Sequence, residues 1–251
     1  MDFPISINLG TWSIPLHPVF ETAAFFIGFR YFLYLRKKQH DAISSSNRIW
    51  IVIGAIFGAF LGSRLVGALE RPGELFLADN IWLHIFANKT VLGGFLGGLS
   101  GVEVVKKIIG EKRASGDLFV YPIILALCIG RIGCFSMGVY EETYGTRTAL
   151  PWGMDLGDGI TRHPVALYEI VFLIILWFAL YQLQHKRELN NGALFKLFMI
   201  AYLLFRFALD FIKPHYAWDI GLSTIQVACV LGLIYYAPFI FKPKKLLAAY
   251  A

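Results

Sequence analysis

Gly130-Arg131-Ile132-Gly133-Cys134-Phe135 sets an arginine between two glycines inside an otherwise apolar stretch. The polar run it opens continues through Leu150-Pro151-Trp152-Gly153 to Arg162-His163-Pro164 and Leu167-Tyr168-Glu169. It starts within one apolar segment and ends at the beginning of the next. A guanidinium stays charged, and at the centre of a spanning helix it costs roughly 2.5 to 3.5 kcal/mol on insertion scales. An arginine fixed there needs a partner or a function.

The rest of the chain makes this a membrane problem. Of its 251 residues, 57% are apolar and 16% charged, and the mean hydropathy is +0.60. That is too hydrophobic for a soluble domain of this length. Six tryptophans and twelve tyrosines suit anchoring at membrane interfaces. The net charge of +6 comes from short basic loops rather than one basic face, which argues against nucleic acid as a partner. The cysteines, Cys128, Cys134 and Cys229, are odd in number and lack paired spacing. They argue against a disulfide framework or a zinc site, and neither a metal nor a cofactor is expected. Met1-Asp2-Phe3-Pro4 lacks the basic region and small-residue cleavage site of a signal peptide, so the first apolar segment is expected to persist in the mature protein.

A spanning helix takes about 20 apolar residues. Seven segments approach that length: Val19 to Leu35, Trp50 to Leu69, Val91 to Ile109, Leu118 to Met137, Val165 to Leu183, Ala193 to Ile212 and Leu222 to Phe241. The expected fold is all-α, a polytopic membrane protein forming one transmembrane domain over residues 1–251. One set of loops carries thirteen Lys and Arg residues, among them Arg36 to Lys38, Lys106, Lys107 and Lys242 to Lys245. The opposite set carries five: Arg71, Lys89, Arg147, Arg162 and Lys213. The positive-inside rule then puts the N-terminus outside and the C-terminus in the cytoplasm, and makes the polar connection at 138–163 extracytoplasmic.

Gly54, Gly58 and Gly62 in the second segment and Gly93, Gly97 and Gly101 in the third recur every four residues. That period makes a groove for close helix packing. Gly93-Gly94 also suits close backbone approach to a ligand, but not a dinucleotide loop, because no strand precedes it. Arg64, Arg131 and Arg206 fall toward the same end of their segments. Two readings are open: a phosphate headgroup site, or internal pairing of Arg206 with Asp210 and of Arg64 with Glu70 or Glu169. Tyr202, Arg206 and Asp210 recur every four residues and form a polar ladder on one helix face. Cys134 admits a covalent-carrier role or plain packing.

In these motifs, together with Gly62-Ser63-Arg64, Gly93-Gly94-Phe95 and Tyr202-x-x-x-Arg206 followed by Asp210-Phe211, the sequence resembles the prolipoprotein diacylglyceryl transferases of bacterial inner membranes. The resemblance implies transfer of a diacylglyceryl group from phosphatidylglycerol to the lipobox cysteine thiol of preprolipoprotein signal peptides. It implies catalytic roles for Arg131, Arg206 and Tyr202, and substrate binding by Arg64, Gly93, Gly94, Gly130, Gly133, Arg162, His163, Tyr168, Glu169 and Asp210. The chain departs from the family pattern at Leu92, where a histidine is usual, at Cys134, where asparagine is usual, and at Lys213-Pro214-His215 in place of Arg-x-Pro-Asp. The departure at Leu92 motivates one alternative, a phospholipid-binding paralogue without turnover; extra residues between Gly138 and Gly145, Glu141-Glu142-Thr143 among them, motivate another, a transferase with a different acceptor.

Overall fold

The computed structural model describes residues 3–39 and 41–247, so Met1 and Asp2 of the N-terminal reading lie outside it. Seven long helices run up and down: α1 (Leu16–Lys38), α2 (Ser45–Ala68), α5 (Val91–Ile108), α6 (Val120–Met137), α7 (Val165–Lys186), α8 (Ala193–Leu209) and α9 (Thr224–Ile240). They correspond one for one to the seven expected segments. The stretches Ser45–Ala68, Asp117–Tyr140 and Val165–Lys186 are long and apolar enough to cross a membrane by length and composition alone. The outer faces of the bundle are apolar as well. Phe25, Phe26, Ile56, Phe57, Ile175, Phe178, Leu231 and Ile234 are all exposed, a surface suited to lipid rather than water.

Four details differ from the sequence-based expectation. Helix α2 starts five residues before Trp50, because the Ser44 side chain caps it by accepting from Asn47 N at 3.2 Å. Arg48 in its first turn is buried against Asp41 at 2.6 Å, so the charge does not end the helix. The 70–89 connection folds into two short helices, α3 (Pro72–Leu77) and α4 (Ile81–Ala87). Two small hairpins join the helices: β1 (Ser6–Leu9) with β2 (Trp12–Pro15), and β3 (Met154–Asp155) with β4 (Thr161–Arg162) inside the 138–163 connection. Finally, α8 stops at Leu209 and a single 3-10 turn, Asp210–Ile212, follows it.

The glycine period decides how α2 and α5 pack. A Cβ at Gly58 would lie 2.3 Å from the carbonyl oxygen of Gly97, one at Gly97 2.3 Å from that of Gly58, and one at Gly101 2.1 Å from that of Gly54. The two helices run antiparallel with backbones in direct contact. Only glycine fits, and dispersion replaces the hydrophobic drive that lipid cannot supply. Helix α6 approaches the start of α1 in the same way, since a Cβ at Gly133 would stand 3.0 Å from Phe20 Cβ and 3.3 Å from His17 O. A buried cluster including Leu92, Ile124, Leu173, Phe198, Tyr202 and Cys229 fills the centre. The starts of α1, α5, α7 and α9 and the ends of α2, α6 and α8 meet at one end of the bundle. Contacts such as Thr90 N to Ser63 O at 3.1 Å, Thr146 N to Ile212 O at 2.8 Å and Ile5 N to Ser136 O at 2.8 Å hold them there.

Candidate active site

Glu169 lies in the second turn of α7, four, seven and eleven residues before Leu173, Leu176 and Leu180, all buried. The helical period therefore turns its carboxylate into the core. Helix α6 brings Arg131 to it, with Nε 2.9 Å from Glu169 Oε2. Helix α8 brings two more groups from successive turns: Tyr202 donates its hydroxyl to Glu169 Oε1 at 2.9 Å, and Arg206 donates from Nη1 to Oε2 at 3.5 Å. Exposure is 1% at Glu169, 0% at Tyr202, 7% at Arg206 and 9% at Arg131. One carboxylate thus serves two buried guanidiniums and leaves one positive charge uncompensated within the hub. Arg206 Nε is buried and makes no hydrogen bond among the described residues. An orphaned charged donor is costly, and a tetrahedral anion would satisfy it.

The ladder read along α8 splits. Tyr202 and Arg206 turn to Glu169, whereas Asp210, on the 3-10 turn past the helix end, accepts from Ser223 Oγ. The expected alternative of Arg206 paired with Asp210 is therefore corrected: the change of helix type takes Asp210 to the cap of α9. There Ser223 and Gln226 form a reciprocal capping box. Just beyond, Lys213 is half-buried, and its side chain makes no ion pair or hydrogen bond among the described residues. Burial, reinforced by the guanidinium of Arg206, pushes its ammonium down to about 8 against the attraction of Glu70 and Asp210. Burial likewise holds the Glu70 carboxyl above the usual range, against Lys213 and Arg206.

Arg64 does not join the hub. Its Nη1 donates to Phe86 O and, at 3.4 Å, to Asn88 O, with its guanidinium 4.8 Å from the Phe86 ring. It caps the carbonyl end of α4 and pairs with neither Glu70 nor Glu169, because α4, hidden in the sequence as a loop, offers the nearer acceptors. Gly93 packs against Gly62 O, where a Cβ would stand 2.4 Å away, while a Cβ at Gly94 would meet only ordinary contacts at 3.8 Å. A Cβ at Gly130 would meet nothing within 4 Å. Arg162 is held by Asp158 at 2.6 Å and lies over the Tyr144 ring. His163 Nδ1 stands 3.1 Å from the Tyr168 hydroxyl, which also accepts from Trp152 Nε1 at 2.9 Å. These contacts clasp the 138–163 connection onto α7.

Leu92 is 1% exposed and belongs to the same buried cluster as Tyr202. It offers the hub no proton acceptor. Sequence reasoning missed a second polar group beside Arg131. His17, Cys134 and Glu141 each present a ligand-type atom, all within 4.8 Å of one another, and Arg131 Nη1 lies 3.6 Å from Cys134 Sγ. The nearest signal was the close-packing glycine at 133, which admits the start of α1. A diacylglyceryl group parked on Cys134 would be a thioether, whose carbon–sulfur bond has no phosphate to expel, so the carrier role fails on its chemistry.

Fold and site together define a polytopic helical membrane protein with a buried, cation-rich centre at one end of the bundle. A family model described as Prolipoprotein diacylglyceryl transferase matches residues 4–241, and the chain belongs to that family. It is 33% identical over 171 residues to the phosphatidylglycerol--prolipoprotein diacylglyceryl transferase of Bordetella parapertussis, a match covering 65% of this chain and 63% of that protein. It is 32% identical over 234 residues to the protein of the same name from Cupriavidus metallidurans, covering 84% and 80%. The relative in Cupriavidus necator is 32% identical over 229 residues, covering 84% and 79%.

Proposed function

We propose that this chain transfers a diacylglyceryl group from phosphatidylglycerol to the cysteine thiol of a prolipoprotein signal peptide, in the bacterial inner membrane. The observation that carries this reading is the Arg131–Glu169–Arg206 hub, in which one carboxylate faces two buried guanidiniums and Arg206 Nε has no acceptor among the described residues. As the glycerol carbon–oxygen bond breaks, negative charge collects on the departing phosphate monoester. Cations fixed in a water-poor site stabilise that charge without having to reorganise. Tyr202 and Glu169 hold the two arginines in place, and Lys213 adds a third positive group at the same end of the bundle. Arg64, Arg162, His163, Tyr168, Gly93, Gly94, Gly130, Gly133 and Asp210 shape the walls and closures around the headgroup. The basic-loop asymmetry supports an outside N-terminus, a cytoplasmic C-terminus and an extracytoplasmic 138–163 connection, which puts the hub on the side where the signal peptide emerges.

The test is reconstitution with phosphatidylglycerol and a lipobox peptide, with product read by mass spectrometry. The expected product is a thioether-linked diacylglyceryl peptide, and Arg206→Ala should lower the rate by about 10² to 10³. No product from well-folded protein rejects the reading. A phospholipid binder without turnover is the second reading, favoured by the apolar burial of Leu92. Headgroup binding with no product, and no gain in Leu92→His, would select it.

A further inference from the structure

His17, Cys134 and Glu141 play no part in the guanidinium chemistry, and their arrangement has a chemistry of its own. They come from separate places: the first turn of α1, the last turn of α6 and the loop after it. His17 Nδ1 and Glu141 Oε2 approach to 2.7 Å. Both atoms are buried, yet neither makes a hydrogen bond among the described residues. Without an ion between them, a ring nitrogen and a carboxylate oxygen at that distance hold each other as a His–Glu ion pair, and both are atoms that can instead bind a cation. The other ring nitrogen of His17 faces Glu21 Oε2 at 3.7 Å, and Lys89 Nζ holds that carboxylate at 2.7 Å. A carboxylate on the far nitrogen is the usual device for fixing a metal-bound imidazole.

Charge and size agree. Arg131 Nη1 lies 3.6 Å from Cys134 Sγ, and a metal-bound cysteine is held as the thiolate by the ion itself. One thiolate and one carboxylate neutralise a dication, so an ion here adds no excess positive charge beside Arg131. Nitrogen, sulfur and oxygen donors with bonds of about 2.0 to 2.3 Å sit roughly 3.3 to 3.7 Å apart around a tetrahedral ion. The three atoms lie within 4.8 Å of one another, and the closest pair, His17 Nδ1 and Glu141 Oε2 at 2.7 Å, parts by about 0.6 Å to reach that spacing.

The geometry points to a zinc-class divalent cation held by His17, Cys134 and Glu141, with its fourth position open to the acceptor thiol. Three protein ligands and one open position are the pattern of reactive rather than structural zinc. On binding, the acceptor sulfur gives its proton to water and becomes a thiolate. It then forms the new carbon–sulfur bond at the lipid glycerol carbon while the bond from that carbon to the phosphate oxygen breaks, and the phosphate monoester leaves toward Arg131 and Arg206. This role rests on the transferase reading and supplies the thiol activation that Leu92 cannot. The ion site itself does not depend on that reading.

The test uses the full chain in lipid nanodiscs, loaded with Co²⁺ and titrated with Zn²⁺. The expected result is one ion per chain with a thiolate-to-cobalt charge-transfer band, displaced by Zn²⁺ and absent in Cys134→Ser. Glu21→Gln, which keeps all three ligands, should weaken binding by about 10- to 100-fold. Absence of the band in the unaltered chain overturns the site, whichever variants fold, and so does a band that Cys134→Ser leaves unchanged. Metal-stripped protein that transfers diacylglyceryl at full rate overturns the thiol-activating role while sparing the transferase reading. Ion binding without any transfer from phosphatidylglycerol overturns that reading, and the role with it, and leaves the site standing.

Discussion

Glu169 is the residue on which the buried charges depend. Its carboxylate sits 2.9 Å from Arg131 Nε and 2.9 Å from the Tyr202 hydroxyl, so Glu169→Gln strands two guanidiniums in the core. Breaking one side of a buried pair costs about 3 to 5 kcal/mol. The expected outcome is a loss of that size in denaturant unfolding in micelles, with transfer lost as well; a change under 1 kcal/mol would remove Glu169 from this role. Lys213 has a pH signature. Its ammonium is charged below about 8 and neutral above, and it is flanked by Glu70, Asp210, Arg206 and Arg131. Affinity for a phosphate headgroup should therefore weaken as pH rises through about 8, and Lys213→Arg should remove that limb. The linked stability effect has the opposite sign. The folded-state value lies below the ordinary 10.5, so between about 8 and 10.5 the unfolded chain binds more protons and stability rises with pH. A binding profile identical in Lys213→Arg would separate Lys213 from the headgroup.

At the scale of elements, α2 and α5 form one unit. Backbone contact at Gly58 and Gly97 leaves no room for a Cβ, whereas a Cβ at Gly98 would meet its nearest atom at 3.4 Å. Gly97→Ala should cost about 1 to 3 kcal/mol through overpacking and Gly98→Ala far less, both read from thermal unfolding in the same detergent. Equal effects would show that the helices separate freely. This packing was legible in the four-residue glycine period, and the seven helices in the lengths of the apolar segments. The short helices α3 and α4 were not legible. They are too short to show a period, and with them went the true partners of Arg64, the carbonyls of Phe86 and Asn88. The end of α8 was also hidden. Asp210 has helical spacing from Arg206, but a 3-10 turn changes its direction and hands it to Ser223.

For the whole molecule, the proposed orientation rests on the loop charges alone, and labelling tests it. A cysteine at exposed Ala149 should react with an impermeant maleimide in spheroplasts, and one at exposed Lys112 only after the membrane is opened; the reverse pattern would invert the topology. The sequence by itself determined the membrane class, the seven long helices, the glycine-packed pair and the list of arginines that had to find partners, because length, hydropathy and period are local properties of the chain. Which partner each charge took was decided only by the tertiary structure. Glu169 meets Arg131 and Arg206 across separations of 38 and 37 positions, and His17 meets Cys134 and Glu141 across more than a hundred. Such meetings depend on how closely helices approach and on which face each presents, and both are set by packing the seven helices together.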